Sequence, residues 1–178
     1  MTTNTINRDE KLGFIFGRRS IRAYTQEPVS DQVVRKLLEA AMAAPSAAAT
    51  DPWRFVVVKN REMLGRMADA LPFGKMLSSA ALGIVVCGDL EAAHDKQLSY
   101  LLQDCAAAIE NLLLCAHILG LGACWLGVHP REQRVKSLQG ILRLAPTVIP
   151  VACIAIGHPA ETKEPRTRFK AQYVRFEN

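Results

Sequence analysis

Aromatic residues are scarce, at 6% of 178 positions, and no two cysteines form a C-x-x-C pair. Cys87, Cys105, Cys115, Cys124 and Cys153 are scattered, and His94, His117, His129 and His158 stand far from one another and from any ligand-like spacing. No metal site is therefore expected, and an odd set of unpaired thiols points to a reducing compartment. Near the amino terminus, Asp9 and Glu10 stand where a signal peptide would be apolar, and the apolar run Leu12 to Phe16 is too short for one. The most apolar stretch, Cys105 to Val128, is interrupted by Glu110, Asn111, His117 and three glycines, short of the roughly 20 clean residues of a membrane span. The expectation is a cytoplasmic protein with no membrane partner.

Recurrent chemical signatures are missing too. There is no G-x-G-x-x-G after an early strand, no G-x-x-x-x-G-K-[ST], no G-x-S-x-G and no H-E-x-x-H. Gly120-Leu121-Gly122 follows a helical pattern rather than a strand, so it reads as a helix C-cap and tight turn. No side chain stands out as a catalyst. Some cofactors need none: a flavin carries hydride chemistry itself, and the protein supplies an anion site, donors to the ring edge and a pocket.

What is present is a core. Apolar residues make up 49% of the chain and charged ones 22%, as expected of one compact domain spanning residues 1–178. The net charge of +5 is confined to the ends. Residues 1–22 contribute +3 through Arg8, Lys11, Arg18, Arg19 and Arg22 against Asp9 and Glu10, and residues 161–178 contribute +2. A nucleic-acid binder spreads such charge over a face and interleaves aromatics, so no nucleic-acid partner is expected. Two readings stay open: solvated terminal charges, or one compact anion site if the fold joins the ends.

Periodicity gives the elements. Ser30 can cap a helix whose apolar face is Val33, Val34, Leu37, Leu38 and Ala41, stopped by Pro45. Phe55–Val58, Leu82–Gly88, Cys124–Val128 and Pro150–Gly157 read as buried strands. From Leu98 to Leu119 the apolar positions keep helical period, and a short polar helix follows near Glu132–Leu138. Strands and helices in this order describe an α+β or α/β sandwich. After His158 the chain has no core-sized apolar run, so an ordered tail must lie over something.

Several pieces together carry a resemblance. Arg18-Arg19-Ser20-Ile21-Arg22, Glu27-Pro28, Ala44-Pro45-Ser46-Ala47 and Pro52-Trp53 resemble the opening of the nitroreductase family of FMN-dependent oxidoreductases. The likeness continues through Lys75-Met76-Leu77, Val86-Cys87-Gly88-Asp89, Gln103-Asp104-Cys105, Glu110-Asn111, Gly120 to Trp125 and Gly157 to Glu161. It implies an α+β sandwich with a central, mostly antiparallel sheet flanked by helices, and an extended carboxy-terminal arm wrapping the partner of a homodimer. It implies FMN at the subunit interface, with NADH or NADPH as donor and a nitroaromatic, quinone or similar small acceptor reduced by a ping-pong cycle. On the residues that match, Arg18, Arg19, Ser20 and Arg22 lie on the phosphate side, with Arg22 there or at the pyrimidine edge. Lys75 matches the lysine at the flavin N1/O2 edge, and Arg166 and Arg168 match the basic pair that returns to the phosphate. Pro45, Ser46 and Ala47 match the loop that covers the flavin from the partner subunit, and Trp125, Leu126 and Gly127 the segment whose backbone lies near N5. The chain departs where family members commonly continue Pro-Ser-Ala with glycine and asparagine; here Ala48-Ala49-Thr50-Asp51 stands, losing an amide and adding a carboxylate. That departure admits an alternative, a flavin-binding carrier or sensor with little turnover.

Overall fold

A computed structural model of the chain describes residues 8–177, with side chains from Leu12 onward in the first helix. Arg8, Asp9, Glu10 and Lys11, counted into the amino-terminal charge, thus have side chains outside the described set.

The elements follow in the order α1 Arg8–Gly17, α2 Asp31–Met42, β1 Trp53–Val58, α3 Arg61–Ala70, β2 Leu82–Asp89, α4 Leu98–Ile118, β3 Gly122–Gly127, α5 Glu132–Leu142 and β4 Val148–Gly157. The strands form one sheet in the order β1-β2-β4-β3, and every pairing is antiparallel. β2 and β4 lie in the middle and are buried on both faces, which is why they read as continuous apolar runs rather than alternating ones.

Alternation along the strands divides the core into two. Leu82, Ile84 and Val86 of β2, with Ile154 and Ile156 of β4, meet Leu101, Cys105, Ala108, Ile109, Leu112 and Leu113 of α4. Behind α4 lie Val34, Leu37 and Ala41 of α2. On the opposite face Val85, Cys87, Cys153, Ala155 and Leu126 meet Leu64, Met67 and Ala68 of α3 and Leu138 of α5. Each fully buried aliphatic side chain contributes about 1.5–3 kcal/mol by leaving water. By length and composition α4 could cross a membrane, a window shifted from the interrupted Cys105–Val128 stretch, but its apolar face lies against the sheet.

The ends of the helices show why they stop where they do. Ser30 accepts a hydrogen bond from the Val33 N–H, and Asn60 does the same for Met63 at the start of α3. α4 ends on Gly120, whose φ of 74° is left-handed, while the Leu121 N–H donates to the Ala116 carbonyl at 2.8 Å. This is the glycine C-cap expected of Gly120, and it turns the chain into β3.

Candidate functional site

β3 is an edge strand, and its free edge organises the site. Ser20 bridges Ala123 in parallel, and the Ile21 N–H donates to the Ala123 carbonyl at 3.0 Å. The contact is close because Gly122 has no side chain: a Cβ there would lie 2.6 Å from Ile21 Cγ2. Farther along the same edge the Arg134 guanidinium donates to the Gly127 carbonyl at 2.8 Å. Ala123 and Gly127 thus turn their backbone polar groups outward, and strand alternation makes Trp125, midway between them, do the same.

The tail comes back to this edge. Glu161 accepts hydrogen bonds from the Arg22 N–H at 2.6 Å and from Lys163 Nζ at 3.0 Å. Lys163 also donates to the Ser20 carbonyl at 2.7 Å. The Arg166 N–H reaches the Phe16 carbonyl at 3.0 Å, and Arg19 donates to the Glu164 carbonyl. The bond from the Arg22 N–H, followed by that from Lys163, holds the Glu161 carboxyl below its ordinary value.

These contacts bring the two basic ends together. Arg18, Arg19, Ser20, Arg22, Lys163, Arg166 and Arg168 line one cavity of about 450 Å³. Arg18 pairs with Glu110 at 3.2 Å, and Lys163 with Glu161. Among the described residues, Arg19, Arg22, Arg166 and Arg168 have no carboxylate partner. Guanidinium groups converging in this way attract a multiply charged anion, and phosphate oxygens match their fork geometry. Of the two readings of the terminal charge, the one that joins the ends has the geometry it needs: both ends line one cavity.

Arg22 also lines a second, adjoining cavity of about 240 Å³ whose other walls include Phe73, Met76, Cys124, Trp125, Leu126, Gly127 and Arg134. Phe73 is 78% exposed and Trp125 37%, so aromatic surface borders this cavity. Burial raises the Cys124 thiol above its usual value, more than Arg22 lowers it, leaving it a neutral wall.

Nine of the thirteen sequence-derived site residues therefore line two cavities that share Arg22. Lys75 lies in the turn Lys75–Ser78, is exposed and lines neither cavity, although its neighbour Met76 does. Pro45, Ser46 and Ala47 also line neither. They belong to the turn after α2, where the Ala47 N–H donates to Oδ1 of buried Asp104 at 2.9 Å and Ser46 Oγ bonds Asp51 Oδ1 at 2.5 Å. Sequence reasoning passed over Lys163 and Arg134 as site residues. Lys163 was visible in the terminal charge, whereas Arg134 sits in a polar helix with nothing to mark it out.

The profile of the nitroreductase family matches residues 15–79 and 69–158. A protein of Archaeoglobus fulgidus with the provisional name NADH dehydrogenase/NAD(P)H nitroreductase is 44% identical over 156 residues, covering 88% of this chain and 89% of its own. A crystal structure from Parabacteroides distasonis, with the same provisional name, superposes with a TM-score of 0.89 at 37% identity, covering 95% of this chain and 98% of its own. A nitroreductase-type structure from Desulfovibrio desulfuricans, solved in complex with FMN, superposes with a TM-score of 0.82 at 34% identity over 98% of this chain and 99% of that one. The sheet, the joined basic ends and these likenesses agree: the chain belongs to the nitroreductase family.

Proposed function

We propose that the chain is an FMN-dependent oxidoreductase, one nitroreductase-like domain over residues 1–178, that takes electrons from NAD(P)H and passes them to a nitroaromatic, quinone or similar small acceptor. The observation that carries this reading is that the guanidinium-lined cavity and the aromatic-bordered cavity along β3 share Arg22 as a wall. A phosphate at one end and a planar ring at the other is the shape of a flavin mononucleotide. Names of the relatives include NAD(P)H nitroreductase and FMN reductase, and one structural neighbour holds FMN.

Bound FMN would supply reversible two-electron chemistry between the nicotinamide donor and the acceptor. Arg18, Arg19, Arg22, Arg166 and Arg168, with Ser20, would hold the phosphate. The outward backbone of Trp125 and Gly127 offers hydrogen-bonding groups to the ring edge, with Leu126 between them bonded to β4, and would orient the ring without any side-chain acid or base. Lys75 would approach the ring from its turn beside Met76. Donor and acceptor would both use the aromatic-bordered cavity, each in turn, which is a ping-pong cycle.

The partner subunit completes the reading. Phe14, Ile15 and Phe16 on α1, Ile118 at the end of α4, and Phe169, Tyr173 and Phe176 in the tail are exposed apolar residues. Such a surface fits a homodimer in which each tail wraps the other chain and Pro45, Ser46 and Ala47 cover the partner's flavin. All five cysteines are free thiols, in keeping with the reducing cytoplasm.

The test is an anaerobic absorbance spectrum of the FMN-loaded protein after NADH and then NADPH. Rapid bleaching of the flavin bands by one donor is expected and names the electron source. Bands that persist with both would overturn turnover and leave the carrier or sensor reading.

A further inference from the structure

The FMN reading leaves one cation without an assignment. Arg134, on α5, is half-buried and held against the β3 edge by its hydrogen bond to the Gly127 carbonyl. It makes no ion pair among the described residues, and the neighbouring acid, Glu132, pairs with Lys136 instead. A guanidinium has five donors, so one bond to a carbonyl leaves a face of the fork free.

Its position along the strand matters. Ser20 anchors the phosphate end of the site at Ala123, and Arg134 grips Gly127, four residues and roughly 13 Å farther along β3. Arg22 lies between, shared by both cavities. A flavin whose phosphate fills the basic cavity already meets a cation at the near end of the ring pocket, in Arg22. Arg134 lines the same cavity as the exposed rings of Phe73 and Trp125, and its bond to the Gly127 carbonyl places it at the other end of this stretch of β3.

We propose that Arg134 selects the acceptor, and that the acceptor is a planar aromatic compound bearing a carboxylate or sulfonate. Its ring would lie over the bound flavin beside the apolar and aromatic walls, and the free face of the guanidinium takes its anionic group. Two requirements are met in one place, a cavity with apolar and aromatic walls and a half-buried cation that has no carboxylate partner among the described residues. A neutral acceptor would leave that cation unpaired while displacing water from it, so the discrimination comes from the acceptor's charge. This inference rests on the FMN reading of the same site.

The probes are 4-nitrobenzoate and its near-isosteric neutral counterpart 4-nitrobenzamide. Each is titrated into the FMN-loaded protein and followed through the perturbed flavin spectrum, and kcat and KM are then measured separately for each. The wild type is expected to bind 4-nitrobenzoate at least about tenfold more tightly, the scale of one charge-assisted hydrogen-bonded pair. Arg134→Gln should erase that preference, through KM rather than kcat, and Arg134→Lys should restore part of it. FMN content, read from the absorbance ratio, reports whether the variants fold and load.

A preference unchanged in Arg134→Gln, or absent from the wild type, overturns the proposal and leaves the FMN reading standing. A variant that loses FMN while the preference persists assigns Arg134 to the flavin edge. One that alters the NADPH to NADH preference instead assigns it to the donor's phosphate. Either result overturns acceptor selection. A wild type that binds no FMN overturns the reading of the site itself, and this proposal with it.

Discussion

Ala48, Ala49 and Asp51 have φ values of 50°, 52° and 49°, all left-handed, within one turn of chain. The glycine and asparagine that family members commonly carry at the first two positions are the residue types that adopt this conformation most readily. This chain keeps the shape with alanines. The bonds of Ser46 to Asp51 and of Ala47 to Asp104 hold the turn, and the other oxygen of Asp104, Oδ2, is buried without a partner among the described residues. Replacing Ala48 with glycine should therefore stabilise the protein by about 0.5–1 kcal/mol, the relief of a left-handed Cβ less the extra freedom of an unfolded glycine. Urea unfolding would show it as a higher midpoint at unchanged slope, and an unchanged or lower midpoint would contradict it. Glu161 makes a prediction of the opposite kind. Its carboxyl is depressed in the folded chain, so the stability it contributes is full above the ordinary carboxylate range and is lost as pH falls through the folded value. The acid limb of stability between roughly pH 5 and pH 3 should be shallower in Glu161→Gln than in the wild type, and identical limbs would show that the carboxylate does not pin the tail.

At the scale of elements, the edge of β3 joins fold to site. Gly122 is the point of contact, and a methyl group there must displace Ile21. Gly122→Ala is expected to weaken FMN binding about tenfold while leaving the far-UV circular dichroism of the sheet intact, because Ile21 carries Ser20 and Arg22 on either side. Unchanged FMN affinity would separate the phosphate segment from the strand. Much of this arrangement was legible in the sequence. The continuous runs in β2 and β4, the Ser30 cap, the period of α4 and the Gly120 stop are local signals, each decided within a few residues. The boundaries differ by a residue or two at strand ends such as Trp53 and Val148, where pairing to a neighbour extends a strand beyond its apolar run. Charge arithmetic located the two basic ends but left their meeting open; the family resemblance implied it, and the means of union had no signal in the sequence. Glu161 bonding the Arg22 backbone and Lys163 bonding Ser20 join residues about 140 apart, and no local pattern announces a bond of that kind. Arg134 was invisible for the same reason: a polar helix position acquires meaning only from the strand beside it.

At the scale of the molecule, the exposed apolar surface and the tail are what the proposed dimer would cover. Phe169 and Phe176 are 73% and 83% exposed, and no core of their own holds them. Sedimentation at micromolar concentration should give a dimer, and replacing both phenylalanines with serine should shift it toward monomer. FMN occupancy should fall in parallel, because each site would lose the cover of Pro45, Ser46 and Ala47. A monomeric wild type with FMN fully bound would contradict the shared site.

The central claim is that the joined ends of the chain form the phosphate half of a flavin site, and it is tested most directly by titrating the apoprotein with FMN and with riboflavin, which lacks only the phosphate. The account predicts saturable binding of one FMN per chain and at least about a hundredfold weaker binding of riboflavin, since several charge-assisted contacts are lost together. Equal affinity for the two, or no binding of FMN, would contradict it.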